Sequence, residues 1–153
     1  MGEEVALTDE IKEMIGKDFK AVVYEVEKGA IRKLAQAIED PTPLWQDEEY
    51  AKKTKYGSII APPTFLTALR DEEWREWAIN VKCPLKRALN AGNELELFQP
   101  IRAGDTMTVT TKLADAYERT GKTGKMLFMP FETSYVNQRG ELIAKSRATF
   151  VKR

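Results

Sequence analysis

Residues 88–101 read ALNAGNELELFQPI, and along them the hydrophobic pattern changes period. Upstream, apolar residues recur at helical spacing; from here on they alternate with polar ones, as a strand with one buried face requires. Three further segments continue the alternation: DTMTVTTKLADAYE (105–118), KMLFMPFETSYVN (125–137) and ELIAKSRATFVKR (141–153). The links RAG (102–104), RTGKTG (119–124) and QRG (138–140) consist of residues that suit tight turns. Four consecutive antiparallel strands follow, the last three forming a meander. Pro130 cannot donate to a ladder, so an edge position or a bulge is expected where it falls.

Upstream, KAVVYEVE (20–27) is dense in β-branched and aromatic residues and predicts a first strand. Leu7, Ile11 and Ile15 predict a short helix behind Thr8 as cap, with Gly16 past its end. Ala30, Ile31, Leu34, Ala35 and Ile38 predict an amphipathic helix that stops near Asp40, because Pro41 disfavours helical geometry before it. DEEYAKKTKYG (47–57) reads as a further short helix ending at Gly57. Pro62 and Pro63 then open a helix with Phe65, Leu66 and Leu69 on its buried face, and Trp74 and Trp77 extend that stripe. The order of strand, helical block and strands predicts an α+β fold: a mostly antiparallel sheet of about five strands wrapped around a central helix. One domain spanning 1–153 is expected.

A chain of 153 residues can bury a core without metal or disulfide staples. Its 24 Lys and Arg balance 24 Asp and Glu, so no net field draws it to nucleic acid or to an anionic membrane. Cys83, the single cysteine, excludes an internal disulfide and fits a reducing compartment. The segment MGEEVALTDEIKEMIG (1–16) is acidic and amphipathic, unlike a signal peptide, and no apolar run approaches spanning length. A cytoplasmic location is the expectation. There is no histidine, no Cys/His cluster and no calcium-loop spacing, so neither a metal nor a cofactor is expected. RTGKTGK (119–125) contains Gly-Lys-Thr, but a phosphate loop needs a glycine where Ala116 stands and must open a helix; it reads as a hairpin turn.

The chemistry concentrates in DPTPLW (40–45), where Asp40 sits on a turn stiffened by Pro41 and Pro43. A carboxylate so held can orient a water or act as a general base. The competing reading is that Asp40 only satisfies helix-end groups or starts a turn. With Asp47, Ala51, Tyr56-Gly57 and Ile60-Ala61-Pro62, the run resembles the hydratase motif of the MaoC-like hot-dog family, D-x-N-P-x-H followed by an Asp, an Ala and a central helix opening in I-x-H-G. ELFQPIRAGDTMTV (96–109) and NQRGELIAKSRATF (137–150) extend the likeness. The chain resembles the N-terminal, FAS1-like dehydratase branch, and with it the substrate-binding subunit of heterodimeric dehydratases whose partner subunit supplies the Asp and His.

The resemblance implies a hot-dog fold and a place among (R)-specific 3-hydroxyacyl-thioester dehydratases and enoyl-thioester hydratases. Asp40 matches the catalytic Asp, and Pro43, Leu44, Asp47 and Ala51 match its scaffold. Trp45 occupies the histidine's position, and an indole has only an N–H donor, with no proton-accepting role at neutral pH. The family's His-Gly offers an N–H to the thioester oxygen from the start of its central helix. Here Ala61-Pro62-Pro63 stands in its place, Pro62 has no N–H, and the amides of Thr64 and Phe65 are left to serve. The implied protein is an acyl-binding half for thioesters of coenzyme A or acyl carrier protein, with Trp45, Ala61, Thr64 and Phe65 at the substrate and Asp40 orienting water. It would pair as a homodimer or with a histidine-bearing partner. A different class is a homodimeric acyl-CoA-binding or structural module without catalysis. A third is a thioesterase using Glu72, Glu73 or Glu76, although these acids, with Asp71, suit the solvated face of the helix carrying Trp74 and Trp77. Cys83 has no histidine to activate it and reads as a small buried hydrophobe.

Overall fold

The computed structural model describes residues 5–69 and 72–153. Expectations that touch the first four residues or Asp71 lie outside the described residues. Helix α1 (Asp9–Met14) begins behind Thr8, whose hydroxyl donates across to Lys82 O at 3.2 Å and does not cap the helix. Strand β1 (Val22–Glu25) leads to α2 (Lys28–Ala37), a 3-10 turn over Pro43–Trp45, and α3 (Glu48–Lys52). Asp47 caps α3 by accepting from the Tyr50 amide at 3.0 Å.

The expected central helix is two pieces: a 3-10 segment over Pro63–Ala68, then α4 (Glu72–Asn80). Phe65 N bonds Pro62 O and Leu69 N bonds Leu66 O, both three residues apart. Leu66 and Leu69, also three apart, stack on one face of a 3-10 turn as well as they would on an α-helix. Thr67 returns its hydroxyl to Thr64 O at 2.6 Å, one of the local bonds by which Thr competes with helical backbone.

Strands β2 (Ala88–Leu97), β3 (Thr106–Leu113), β4 (Tyr117–Gly121), β5 (Gly124–Val136) and β6 (Leu142–Lys152) complete one antiparallel sheet in the order β1-β3-β5-β6-β2, with β4 beside β5. The sheet has six strands where about five were expected, because the segment 105–118 breaks at 114–116. Leu113 pairs with Phe131 and Tyr117 with Phe128, so three residues oppose two. Pro130 lies at that break, pairs regularly with Thr149 of β6, and accepts from Ala114 N at 2.9 Å. It is neither at an edge nor in a bulge of its own strand; its missing N–H points where the neighbouring ladder is interrupted. RTGKTG closes the β4–β5 hairpin, with Gly121 opposite Gly124.

One face of the sheet carries the helical pieces. Strand β3 alternates strictly, with Met107, Val109, Thr111 and Leu113 buried. Two apolar clusters form there. Phe65, Leu66 and Leu69 pack with Met107, Val109 and Tyr135, while Trp74 and Ala78 of α4 pack with Leu113, Met129 and Phe131. The Trp74 and Phe131 rings lie 4.5 Å apart. Burying such side chains contributes about 1.5–3 kcal/mol each. Strand β2 stands apart: every residue after Ala88 is exposed, on both faces, and β2 forms the sheet's outer edge beside β6. No helix among the described residues is long and apolar enough to cross a membrane.

Candidate functional site

Helix α2 ends in a left-handed residue, Glu39 at φ 55. Glu39 N bonds Gln36 O at 3.1 Å and Asp40 N bonds Ala35 O at 2.9 Å, the pair of bonds of a Schellman cap. That cap turns the chain so that the Asp40 side chain faces back over 42–45. Its Oδ1 accepts from Thr42 N at 3.0 Å and from Thr42 Oγ1 at 2.5 Å. Its Oδ2 accepts from the indole Nε1 of Trp45 at 2.8 Å. These donors hold the carboxyl below the usual aspartate range, the Thr42 hydroxyl first, its amide next and the indole third. Both readings of Asp40 thus have a physical basis: one oxygen makes the turn, the other binds the residue in the histidine position. A carboxylate stabilised as the anion is a weak base.

Trp45 also forms a wall of a cavity of about 300 Å³, together with Leu44, Tyr56, Ala61, Pro63, Leu97 and Phe98. Asp40 is not among its lining residues, so the carboxylate is linked to this space through the indole alone. The cavity is large enough for part of a small ligand and mostly apolar in its walls. Ile60 bridges to Arg102, and Ala61 N bonds Ile101 O at 2.7 Å. The Arg102 guanidinium donates to Tyr56 O and to Ser58 Oγ, fixing the loop that carries Tyr56.

The four expected contact residues separate. Trp45 and Ala61 meet at the cavity; Thr64 is exposed beyond it, and Phe65 is buried in the core. The Phe65 amide already bonds Pro62 O at 2.9 Å and is not free to meet an anion. Glu72, Glu73 and Glu76 are exposed and line neither this cavity nor the one above the sheet that Arg75 borders. Trp77 packs edge-on to Phe19 at 5.7 Å, and Cys83 is buried, its thiol 3.5 Å from Ala6 O. Tyr56, Leu97, Phe98 and Arg102 escape a reading of the sequence. Their one signal is Tyr56-Gly57 at its motif position, because the remaining three come together only when β2 and the loop beyond it fold back.

A single antiparallel sheet packed on a short helical run, with a stiff Asp-Pro turn beside an apolar cavity, is the hot-dog architecture of MaoC-like hydratases and dehydratases. The comparisons agree. The family described as "FAS1-like, dehydratase domain region" matches residues 13–146, and the chain belongs to it. It is 30% identical over 132 residues to the UPF0336 protein of Thermobifida fusca, covering 85% of this chain and 84% of that one. Among solved structures it is similar to the MaoC-like dehydratase from Rhodospirillum rubrum, at 27% identity and a TM-score of 0.67, covering 90% of this chain and 91% of that one. The C-terminal truncated HadBC (3R-hydroxyacyl-ACP dehydratase) complex from Mycobacterium tuberculosis gives a TM-score of 0.76 at 21% identity, covering 90% of this chain and 96% of that one, a likeness of fold alone.

Proposed function

We propose that this chain is the acyl-binding half of an (R)-specific hydratase or dehydratase of acyl-CoA or acyl-carrier-protein thioesters, working in the cytoplasm and taking its acid/base residue from a histidine-bearing partner. The bond from Trp45 Nε1 to Asp40 Oδ2 carries this reading. It places a residue that cannot accept a proton between the carboxylate in the catalytic position of the motif and the cavity, and it engages that carboxylate as an anion. Trp45 and Ala61 then serve as walls for the thioester end of the substrate, with Tyr56, Leu97 and Phe98 completing the pocket. Pro62 and Pro63 offer no N–H there. The uncovered edge of β2 suits a second hot-dog subunit, and the HadBC structure of similar fold is itself a complex.

The test is binding of a short trans-2-enoyl-CoA to the purified chain. The melting temperature is expected to rise with ligand while the thioester is recovered unchanged, and Ala61→Leu, which fills the cavity, is expected to remove the rise. Absence of any stabilisation would overturn acyl binding. Conversion to the 3-hydroxyacyl product by the chain alone would overturn the need for a partner.

A further inference from the structure

A second cavity, of about 340 Å³, lies between the helical run and the sheet, bordered by Arg75, Thr111, Thr133, Tyr135 and Ser146. It sits where the core is divided. The register aligns Leu95, Ser146, Thr133 and Thr111 across four strands on the helix-bearing face. This polar row separates the cluster around Leu66 from the cluster around Trp74. Thr111 is 0% and Thr133 8% exposed, their hydroxyls 2.8 Å apart, and Tyr135 OH lies 3.4 Å from Ser146 Oγ. An interior row of hydroxyls is a poor place for alkyl groups and a good one for an oxygen-bearing group.

Arg75 faces this row from α4. Its guanidinium lies 4.9 Å from the Trp74 ring, and its buried Nε has no acceptor among the described residues. Glu94 and Arg147 also border the cavity, but the register sets them in line with Glu132 and Lys112, one residue out of phase with the hydroxyl row. Alternation turns those side chains to the opposite face, where Arg147 and Lys112 pair with Glu132 at 3.5 and 3.7 Å. Among the described lining residues, Arg75 is therefore the charged group left on the cavity side. Burial raises the Tyr135 pKa, so its hydroxyl stays a donor.

The two cavities follow one another along β2. Leu97 lines the one beneath Trp45 and Leu95 lines this one, two residues apart on one face; Pro63 borders the first and Leu66 the second. Resting on the acyl-thioester reading above, we propose that the Arg75 cavity receives a carboxylate at the far end of the acyl chain, so that the preferred substrates are thioesters of dicarboxylic acids. A guanidinium fork matches a carboxylate, and the Tyr135 and Ser146 hydroxyls supply further donors beside it.

Affinities of succinyl-, glutaryl-, adipoyl- and suberoyl-CoA, each against the monocarboxylic acyl-CoA of equal length and against coenzyme A alone, test the assignment by calorimetry. At least one dicarboxylic thioester is expected to bind about tenfold tighter than its counterpart. Arg75→Gln and Tyr135→Phe are expected to erase or reduce that preference, with circular dichroism reporting that the variants are folded. Equal affinities, or a preference that survives Arg75→Gln, would overturn the carboxylate assignment and leave acyl-thioester binding standing. Arg75-dependent binding of coenzyme A alone would overturn it too, by showing that the anion is a carrier phosphate. Binding of no thioester at all would overturn the acyl-thioester reading itself.

Discussion

Asp40 takes its donors from within five residues of itself, which is why so much of its surroundings is legible in DPTPLW. The sequence places a carboxylate on a rigid turn and an indole in the histidine's position; the structure adds that the two are bonded. Because the folded-state pKa of Asp40 is lowered, the stabilisation it gives is complete above the ordinary aspartate pKa and is lost as pH falls below it through the folded value. Melting temperature followed against pH should therefore show an acid limb that is flatter in Asp40→Asn than in the wild type; superimposable limbs would count against the bonded carboxylate. Trp45→Phe, which deletes one donor, should move the Asp40 carboxyl resonance to titrate at higher pH. Arg75, by contrast, could not be singled out from the sequence. The hydroxyls that border its cavity lie on β3, β5 and β6, and their meeting depends on a register that no local pattern encodes.

At the scale of elements, α2 and the strands from β2 onward were readable because period and turn residues agree there. The helical centre was not, since apolar residues three apart satisfy a 3-10 turn and an α-helix equally. The break between β3 and β4 was hidden as well: Ala114–Ala116 has neither Gly nor Pro, and Pro130 across from it is the one residue that hints at it. Two element ends carry predictions. Glu39 holds a left-handed conformation that disfavours side chains by about 1–2 kcal/mol, partly offset in glycine by its greater unfolded freedom. Glu39→Gly should thus raise stability by about 0.5–1 kcal/mol in urea unfolding. At the end of α4, Lys152 is buried and its Nζ donates to Ile79 O at 2.9 Å and Val81 O at 3.2 Å, satisfying carbonyls that the helix leaves open. Lys152→Ala should cost about 2 kcal/mol by the same measurement; a neutral result would mean that water replaces the amine without loss.

For the whole molecule, β2 is the informative element because its sequence and its setting disagree. Its alternation is that of a strand with one covered face, yet every residue after Ala88 is exposed, and Leu89, Leu95, Leu97 and Phe98 stand open along it and just beyond. Such an edge seldom persists unpaired. Association through β2 should appear as a concentration-dependent mass in sedimentation, and Leu97→Lys should abolish it while leaving the circular dichroism unchanged. The two cavities open along the same strand, so the proposed subunit contact and the proposed acyl site would share a surface, and the central proposal is an acyl-binding half without its own proton-transfer residue. Hydration of a short trans-2-enoyl-CoA by the purified chain, measured beside Asp40→Ala, tests that claim most directly. Both proteins should leave the thioester at its buffer rate; robust turnover by the wild type that vanishes in Asp40→Ala would contradict it, and would make Asp40 a working base without a histidine.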